Sequence, residues 1–407
     1  MKPGKRNRSR EFPLNEGRWI QSNHDGSETV RQDSISASRM RSWVMEDWVG
    51  YPERANSLYS AKRSREGGLC NGSGLIGLDT ISMVDHSLDT FAKLDNIPVE
   101  THPWALDSTL IAKILARTGP MTPKVNVPLF LYELKDVPAM IRHAGDTLHK
   151  LSDLGMSKIS GLSAAREAAS ANLAYKFGWE PLISDIGKIA KIAEYAKKRQ
   201  EFLMKTQEVM GAVSKAYLGS ETYTNSGDYD GPYPFGNWMI TFTEPRTFKK
   251  KVTVTRWCSA RWRYRDFQPL YYSENPVTPF QAVTGLNTPN IPVTVWKALP
   301  WTWLSDWFVD ISSTMQAAQN LVYFEPTDIC FMEHRLYEVE ISGASIVKNT
   351  NGGGAFGTCT PLRYTLETKL RHVFNTEDIT PQPKLPMWDD FKLSVLGSLA
   401  TLRLLGR

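Results

Sequence analysis

Phe177–Lys205, FGWEPLISDIGKIAKIAEYAKKRQEFLMK, and Phe248–Arg265, FKKKVTVTRWCSARWRYR, place two different periods in one chain. In the first, Leu182, Ile186, Ile189, Ala193, Ala196 and Leu203 recur at spacings of three, four and seven, the stripe of one amphipathic helix with a core on that side. Pro181 suits the first turn, where a missing N–H costs nothing and φ is already helical. A second row, Lys188, Lys191, Tyr195, Lys198, Phe202 and Lys205, repeats on another face and looks away from the stripe. In the second stretch the period is two. Lys249, Lys251, Thr253, Thr255, Trp257, Ser259, Arg261, Arg263 and Arg265 share one face, wet and basic; Phe248, Lys250, Val252, Val254, Arg256, Cys258, Ala260, Trp262 and Tyr264 share the other, mostly apolar. A helical period followed by a strand period predicts the α+β class.

Both basic rows fit a phosphate backbone, with Tyr195 and Phe202 placed to stack unpaired bases. Both also fit ordinary solvated faces, a lysine-rich helix surface and a strand protected from aggregation. Between Arg246 and Arg265 stand eight Lys+Arg and no acid, whereas Asp306–Glu340 holds seven acids and only Arg335 as a base. The formal net charge of +5 arises within residues 1–65, where 13 Lys+Arg face 8 Asp+Glu. Elsewhere, a polyanion site requires local segregation of charge.

At 407 residues, with 41% hydrophobic and 22% charged, the chain is long enough and apolar enough for two or more folded regions. Residues 1–18 read as a flexible basic arm carrying Lys2, Lys5, Arg6, Arg8 and Arg10, suited to RNA or simply to solubility. Short strands follow from Trp19 to Tyr59, including Glu28–Ile35 and Met40–Val49. Ser60–Gly77 reads as a polar, glycine-rich connection. Helical spacing covers Trp104–Arg117, with Leu106, Leu110, Ile114 and Leu115 inward and Gly119-Pro120 as the stop. It resumes over Pro128–Leu151, with Leu131, Leu134, Met140, Ile141 and Leu148 inward and Pro138 as a kink, and over Leu162–Lys176. Gly211–Gly236 is turn-rich and includes an exposed loop, Gly227–Pro234, with Tyr229 and Tyr233. Strands are expected at Trp238–Thr243, Ile329–Ile346 and Thr358–Phe374, the last two separated by a loop at Gly352–Gly354. Phe280–Leu286 is a short helix, and Pro300–Asp310 begins a helix running to Leu321. Trp296, Trp301, Trp303 and Trp307 fall in or beside its apolar spacing and read as core, with base stacking as the alternative. Met387–Leu405 closes the chain as a helix that is apolar on more than one face. The resulting regions are 1–102 (basic arm and first β part), 103–206 (helical bundle), 207–275 (second β part), 276–325 (Trp-rich helices), 326–380 (third β part) and 381–407 (terminal helix).

Gly72-Ser-Gly74-Leu-Ile-Gly77 is a formal GxGxxG, but SAKRSREGGLCN before it does not read as a strand feeding a phosphate loop, so a mobile loop is expected. There is no Gly-Asp-Asp, HExxH, P-loop or GxSxG. Asp389-Asp390 sits at a helix start, where acids suit the macrodipole. Neither a metal, a cofactor nor catalytic residues are therefore expected. Cys70, Cys258, Cys330 and Cys359 form no CxxC pair, which predicts reduced thiols rather than a disulfide framework or zinc site. Met1–Leu14 lacks an apolar h-region and no run of about 18 apolar residues occurs, so neither a signal peptide nor a membrane-spanning segment is expected, and synthesis in the cytoplasm is.

Two segments carry a resemblance. Phe177-Gly178-Trp179-Glu-Pro181-Leu-Ile-Ser-Asp185-Ile and Trp296-Lys-Ala-Leu-Pro300-Trp-Thr-Trp303-Leu-Ser-Asp306-Trp307 resemble the two best-marked segments of the maturation proteins of single-stranded RNA bacteriophages, in the same order and at a similar separation. Lys297 stands where the family usually has an acid, and Thr302 where serine is common. The resemblance implies an α-helical bundle beside an elongated, bent antiparallel β-sheet region, and a structural virion protein rather than an enzyme. It further implies one copy replacing a coat-protein dimer in the shell, binding of hairpins in the genomic RNA, and attachment to a bacterial pilus through the β region. The marked Phe, Gly, Trp, Pro and Asp residues would then be structural. Receptor contacts would come from the strands of Trp19–Tyr59, from Tyr229 and Tyr233, and from the loop Asn349–Gly357.

Overall fold

The computed structural model describes residues 4–11, 18–32, 41–49, 55–76, 79–87, 94–99, 101, 103–133, 169–229, 233–235, 238–242, 246–265, 278–286, 290–299, 302–349, 354–375, 378–380 and 390–405. The chain is α+β. Its strands are β1 (Gly4–Glu11), β2 (Arg18–Ser22), β3 (Glu28–Gln32), β4 (Arg41–Val49), β5 (Leu58–Gly67), β6 (Leu69–Ile76), β7 (Asp79–Ser87), β8 (Ala212–Asp228), β9 (Tyr233–Phe235), β10 (Trp238–Phe242), β11 (Thr247–Tyr264), β12 (Phe324–Ile341), β13 (Ala344–Asn349), β14 (Gly354–Cys359) and β15 (Leu362–Phe374). The helices are α1 (Ser108–Thr118), α2 (Val127–Glu133), α3 (Glu180–Ile189), α4 (Ile192–Thr206), α5 (Pro279–Thr284), α6 (Ile291–Ala298), α7 (Thr302–Phe308), α8 (Ile311–Leu321) and α9 (Asp390–Leu405), with a π-helical turn at Tyr175–Trp179. One sheet runs β1-β4-β5-β15-β12-β11-β8 and a second runs β3-β2-β7-β6-β14-β13-β10-β9. Two compact units result: residues 1–104, 217–258 and 330–373, and residues 105–216, 259–329 and 374–407.

In the first unit the alternation of β11 is that of its sequence: Phe248, Lys250, Val252, Val254, Arg256 and Cys258 are buried, and the residues between them face outward. Several segments that look like loops are strands. Gly4–Glu11 pairs with β4 instead of remaining a flexible arm, because its cations meet acids across the ladder, Arg6 with Asp47 and Lys5 with Glu46 at 3.1 Å. Among the described residues of Ser60–Gly77, the connection falls at Gly67-Gly68, both at positive φ, where glycine avoids the Cβ clash. Its flanks are β5, paired with β15, and β6, paired with β14, so Gly72 and Gly74 of the GxGxxG lie in a strand rather than in a mobile loop, and Gly77 lies outside the described residues. The two partners β15 and β14 lie about 300 residues away and leave no local trace, while β4 and β7 pair with β5 and β6 from nearby in the chain. Residues 212–228 form the 17-residue edge strand β8, whose Ser, Thr and Gly content imitates a turn. The cysteine expectation also fails: Cys70 and Cys359 stand opposite each other in the β6–β14 ladder and form a disulfide across 289 residues of sequence. Cys258 and Cys330 are buried free thiols.

In the second unit α1 begins at Asp107, whose carboxylate accepts from Leu110 N at 3.0 Å. Leu110, Ile114 and Leu115 are buried as expected, while Leu106, before the cap, is exposed. Asn320 of α8 knits α1 to α8. Its amide donates to the carbonyls of Leu115 and Gln316 and to Thr122 Oγ1, and its oxygen accepts from Met121 N. The sequence reads a single helix from Pro300 to Leu321, but the helix stops after Phe308 and restarts at Asp310, which accepts from Ser313 N at 3.2 Å. The expected helix Pro128–Leu151 is described only as α2, with Leu131 exposed; Leu134, Pro138, Met140, Ile141 and Leu148 lie outside the described residues. Residues 169–174 represent the helix expected over Leu162–Lys176. Asn172 there donates to Ser394 Oγ and Ser398 Oγ at 2.9 and 2.8 Å, seating α9.

Candidate nucleic-acid interface

The helix expected over Phe177–Lys205 is three pieces. Glu180 N–H reaches back to Tyr175 O to make the π turn, α3 follows, and at Lys191 (φ −106°, ψ 12°) the chain leaves helical geometry before α4. The break rotates the two halves out of one stripe. Leu203 is buried, but Ile186 and Ala193, placed in the core by the spacing, are exposed, and Ile183 is 63% exposed. What α4 buries instead is Leu203, Thr206 and most of Arg199, whose guanidinium donates to the carbonyls of Gly119 (3.2 Å), Pro120 and Thr122 (2.9 Å). Arg199 thus caps the turn that follows α1, whose carbonyls lie beyond the helical ladder. Burial pulls its pKa down to about 10.

Of the lysine row, Lys191, Lys198 and Lys205 are exposed and Lys188 is half-buried. Lys188 is held by Asp185 at 2.6 Å and Lys198 by Glu194 at 2.6 Å, pairs of the i,i+3 and i,i+4 kind. The Lys198 hydrogen bond lowers the Glu194 pKa and raises that of Lys198. Tyr195 and Phe202 are half-buried. Lys191 and Lys205 are thus the row's most available cations.

On the outward face of β11, Lys249, Lys251 and Arg265 are exposed, and Arg261 and Arg263 are half-buried. Of the acids of Asp306–Glu340, Glu325, Asp328, Glu333, Glu338 and Glu340 lie on the neighbouring strand β12, and Asp306 and Asp310 lie at α7 and α8. Lys251 pairs with Glu338 at 3.6 Å, and Arg261 with Asp328 at 2.9 Å and with the carbonyl of Met210. Asp328 is held at φ 51°, which marks an irregularity in β12 at that pair. Two of the outward bases, Lys251 and Arg261, are therefore compensated across the ladder. At the end of this face, Glu66, Lys249, Glu340, Ser342 and Arg363 line a cavity of about 550 Å³ whose charges balance.

The inward face carries charges that belong to the core. Arg256, 1% exposed, donates to Glu221 (2.7 Å) and Glu333 (2.8 Å), and Glu333 also accepts from Arg335 (2.5 Å). Burial alone would lower the Arg256 pKa, but its two carboxylate partners hold it raised. Trp104 lies 5.1 Å from that guanidinium and stacks on Phe331. Lys250 donates to the Ile97 carbonyl, and Arg63 binds Asp95, which accepts from Tyr364. Burial lowers the Lys250 pKa and, with Asp95, raises that of Tyr364. The period-two pattern shows Lys250 and Arg256 on an apolar face; the segment 94–99 supplies the partner of the first, and strands β8 and β12 those of the second, none of which the local pattern shows.

Tyr229, expected on an exposed receptor loop, is 5% exposed and sits edge-on to Phe248, with Arg246 over its ring at 5.5 Å. The apolar ring of Phe248 and the guanidinium of Arg246 outweigh the polar tip that suggested exposure. Tyr233 lies in β9, opposite Ile240 of β10. Residues 230–232 and 350–353 lie outside the described residues, and the flanks of the second loop are β13 and β14. Among the marked residues, Asp306 accepts from Ser312 N at 3.0 Å and from its hydroxyl, tying α7 to α8. Asp185 holds Lys188. Trp179, Trp296 and Trp307 are half-buried rather than enclosed, with Lys392 over Trp307 at 5.9 Å. Phe177 and Gly178 fall in the π turn, Pro181 in the first turn of α3 and Trp303 in α7, while Pro300 lies outside the described residues. No helix among the described residues is long and apolar enough to cross a membrane.

Comparison with known proteins finds no matching family model and no matching curated protein.

Proposed function

We propose that this chain is a minor structural protein of a single-stranded RNA bacteriophage particle, one copy of which replaces a coat-protein dimer, binds the genomic RNA and attaches the particle to a bacterial pilus. The observation that carries the reading is the pair of segments Phe177–Ile186 and Trp296–Trp307, in the family's order, on an α+β chain. The local roles of Asp185 and Asp306, a lysine clamp and a helix–helix tie, are those of motif residues that maintain a scaffold. RNA contact falls first to Lys191 and Lys205, whose exposure suits backbone binding with counterion release, and then to Lys249, Arg263 and Arg265. Lys188, Lys198, Lys251 and Arg261 must exchange an existing acid for a phosphate and contribute less. Copurification with RNA phage particles at about one copy each supports the reading. Stoichiometric absence from particles, together with RNA binding in vitro, would leave an RNA-binding protein without a virion role.

A further inference from the structure

The eight-stranded sheet is built from two groups of strands distant in sequence, β3-β2-β7-β6 and β14-β13-β10-β9, and among the described residues its ladder joins them through β6 and β14 alone. That seam is poor in side chains. Gly72 faces Gly357, Gly74 faces Ala355, and Ser73 faces Phe356, whereas ladders within one group set Trp19 against Met83 and Ile20 against Val30. Cross-strand side-chain pairs are the unit of sheet stabilisation, and glycine withholds them while leaving the unpaired chain its greatest freedom. At one end of the seam stands the Cys70–Cys359 disulfide, with both residues buried. Just beyond it the chain is anchored by Gly68 N to Pro361 O, Thr360 N to Leu69 O and Leu69 N to Thr360 Oγ1. Among the described residues, the opposite end, at Gly74 and Ala355, shows no such anchor in the ladder.

We propose that this seam is a redox-gated junction: the disulfide holds the two groups of strands together, and its reduction lets them part from the glycine end. Oxidation removes two protons and two electrons from the Cys70 and Cys359 thiols. The acceptor is a low-molecular-weight disulfide, which leaves as two thiols after thiol–disulfide exchange through a mixed disulfide. The seven-stranded sheet is independent of this bond, because Val252, Val254, Val339, Ile341, Leu362 and Tyr364 give it a buried core of its own.

The test uses the full chain equilibrated in glutathione buffers of graded ratio, with reactive thiols counted by alkylation and intact mass, and amide exchange read by mass spectrometry. Loss of the bond exposes two additional thiols. Exchange over residues 71–75 and 354–358 should quicken at least tenfold, while residues 247–258 and 330–341 keep their protection. The double variant Cys70→Ser, Cys359→Ser should show the reduced pattern in every buffer. Unchanged exchange on reduction would overturn the proposal. So would acceleration spreading equally into β11 and β12, which would make the bond a staple of the whole unit rather than a gate on one seam.

Discussion

Replacing Arg199 with methionine separates the cap of the turn after α1 from the charge of α4. The guanidinium donates to the carbonyls of Gly119, Pro120 and Thr122. Hydrogen bonds from a charged donor contribute about 1.5–3 kcal/mol each, so three give a gross loss of about 5–9 kcal/mol. Against this stands the cost of burying the cation. Its pKa falls from 12.5 to about 10, and at about 1.4 kcal/mol per pKa unit relief of that burden returns about 3 kcal/mol. Methionine keeps much of the stem's volume, so the net destabilisation should be about 2–6 kcal/mol. Urea unfolding followed by circular dichroism measures it, with exchange protection over 108–122 as the local readout. Arg199→Lys should recover only part, because a point charge does not span three carbonyls as the planar fork does. The exposed neighbour change Lys197→Met should stay within about 0.5 kcal/mol. An Arg199→Met protein as stable as the parent, or full rescue by lysine, would refute the capping argument.

Changing Lys191 and Lys205 together to alanine should weaken RNA binding and flatten its salt slope by about 1.4, at about 0.7 per single-strand phosphate contact. The pair Lys188 and Lys198, already held by acids, should give a smaller change in the same filter titration; equal slopes would show that these ion pairs do not matter. Tyr229→Ala should cost about 3 kcal/mol as a buried aromatic truncation and yield insoluble or protease-sensitive protein; a stable variant that only loses particle adsorption would restore the receptor role. Burial lowers the His372 pKa, so on acidification the unfolded chain takes up its proton first. The stability contributed by neutral His372 is present above the unfolded value near 6.5 and is lost as pH falls through the folded value. His372→Gln should therefore reduce the decline in melting temperature between pH 7 and pH 5, and an identical decline in the variant would count against it.

Period-two reading placed every buried residue of β11 correctly, since alternate residues of a strand take opposite faces of its sheet. The helical spacing of 182–203 was legible as helix but not as a buried face. A break at Lys191 changes which side of each half is inward, and no proline or glycine at that residue announces it. Polar strands were the hardest to see. β5, β6 and β8 are rich in Ser, Gly and charge, and local composition reports solvent exposure rather than hydrogen-bond partners; one side of β5 and of β6 is completed only by β15 and β14, far along the chain. The disulfide was hidden for the same reason. In the candidate interface, charge segregation in sequence did not become segregation in space, because the acids of β12 and the bases of β11 occupy adjacent strands.

β5 pairs with β15 from Gly67↔Leu362 to Leu58↔Arg371. Strand β4 borders β5 on the other side and is made before it, but the β15 side must wait for nearly 300 further residues. At about 5–20 residues per second on the ribosome, the wait is roughly 15–60 s. Throughout it, one edge of β5 offers unsatisfied N–H and C=O groups to any extended chain nearby. Lys62, Arg63, Arg65 and Glu66 make β5 a poor template for such a stranger. Their charge therefore acts during synthesis, before the native partner arrives, and a β5 made more apolar would fail first as aggregation of nascent chains rather than as a weaker finished sheet.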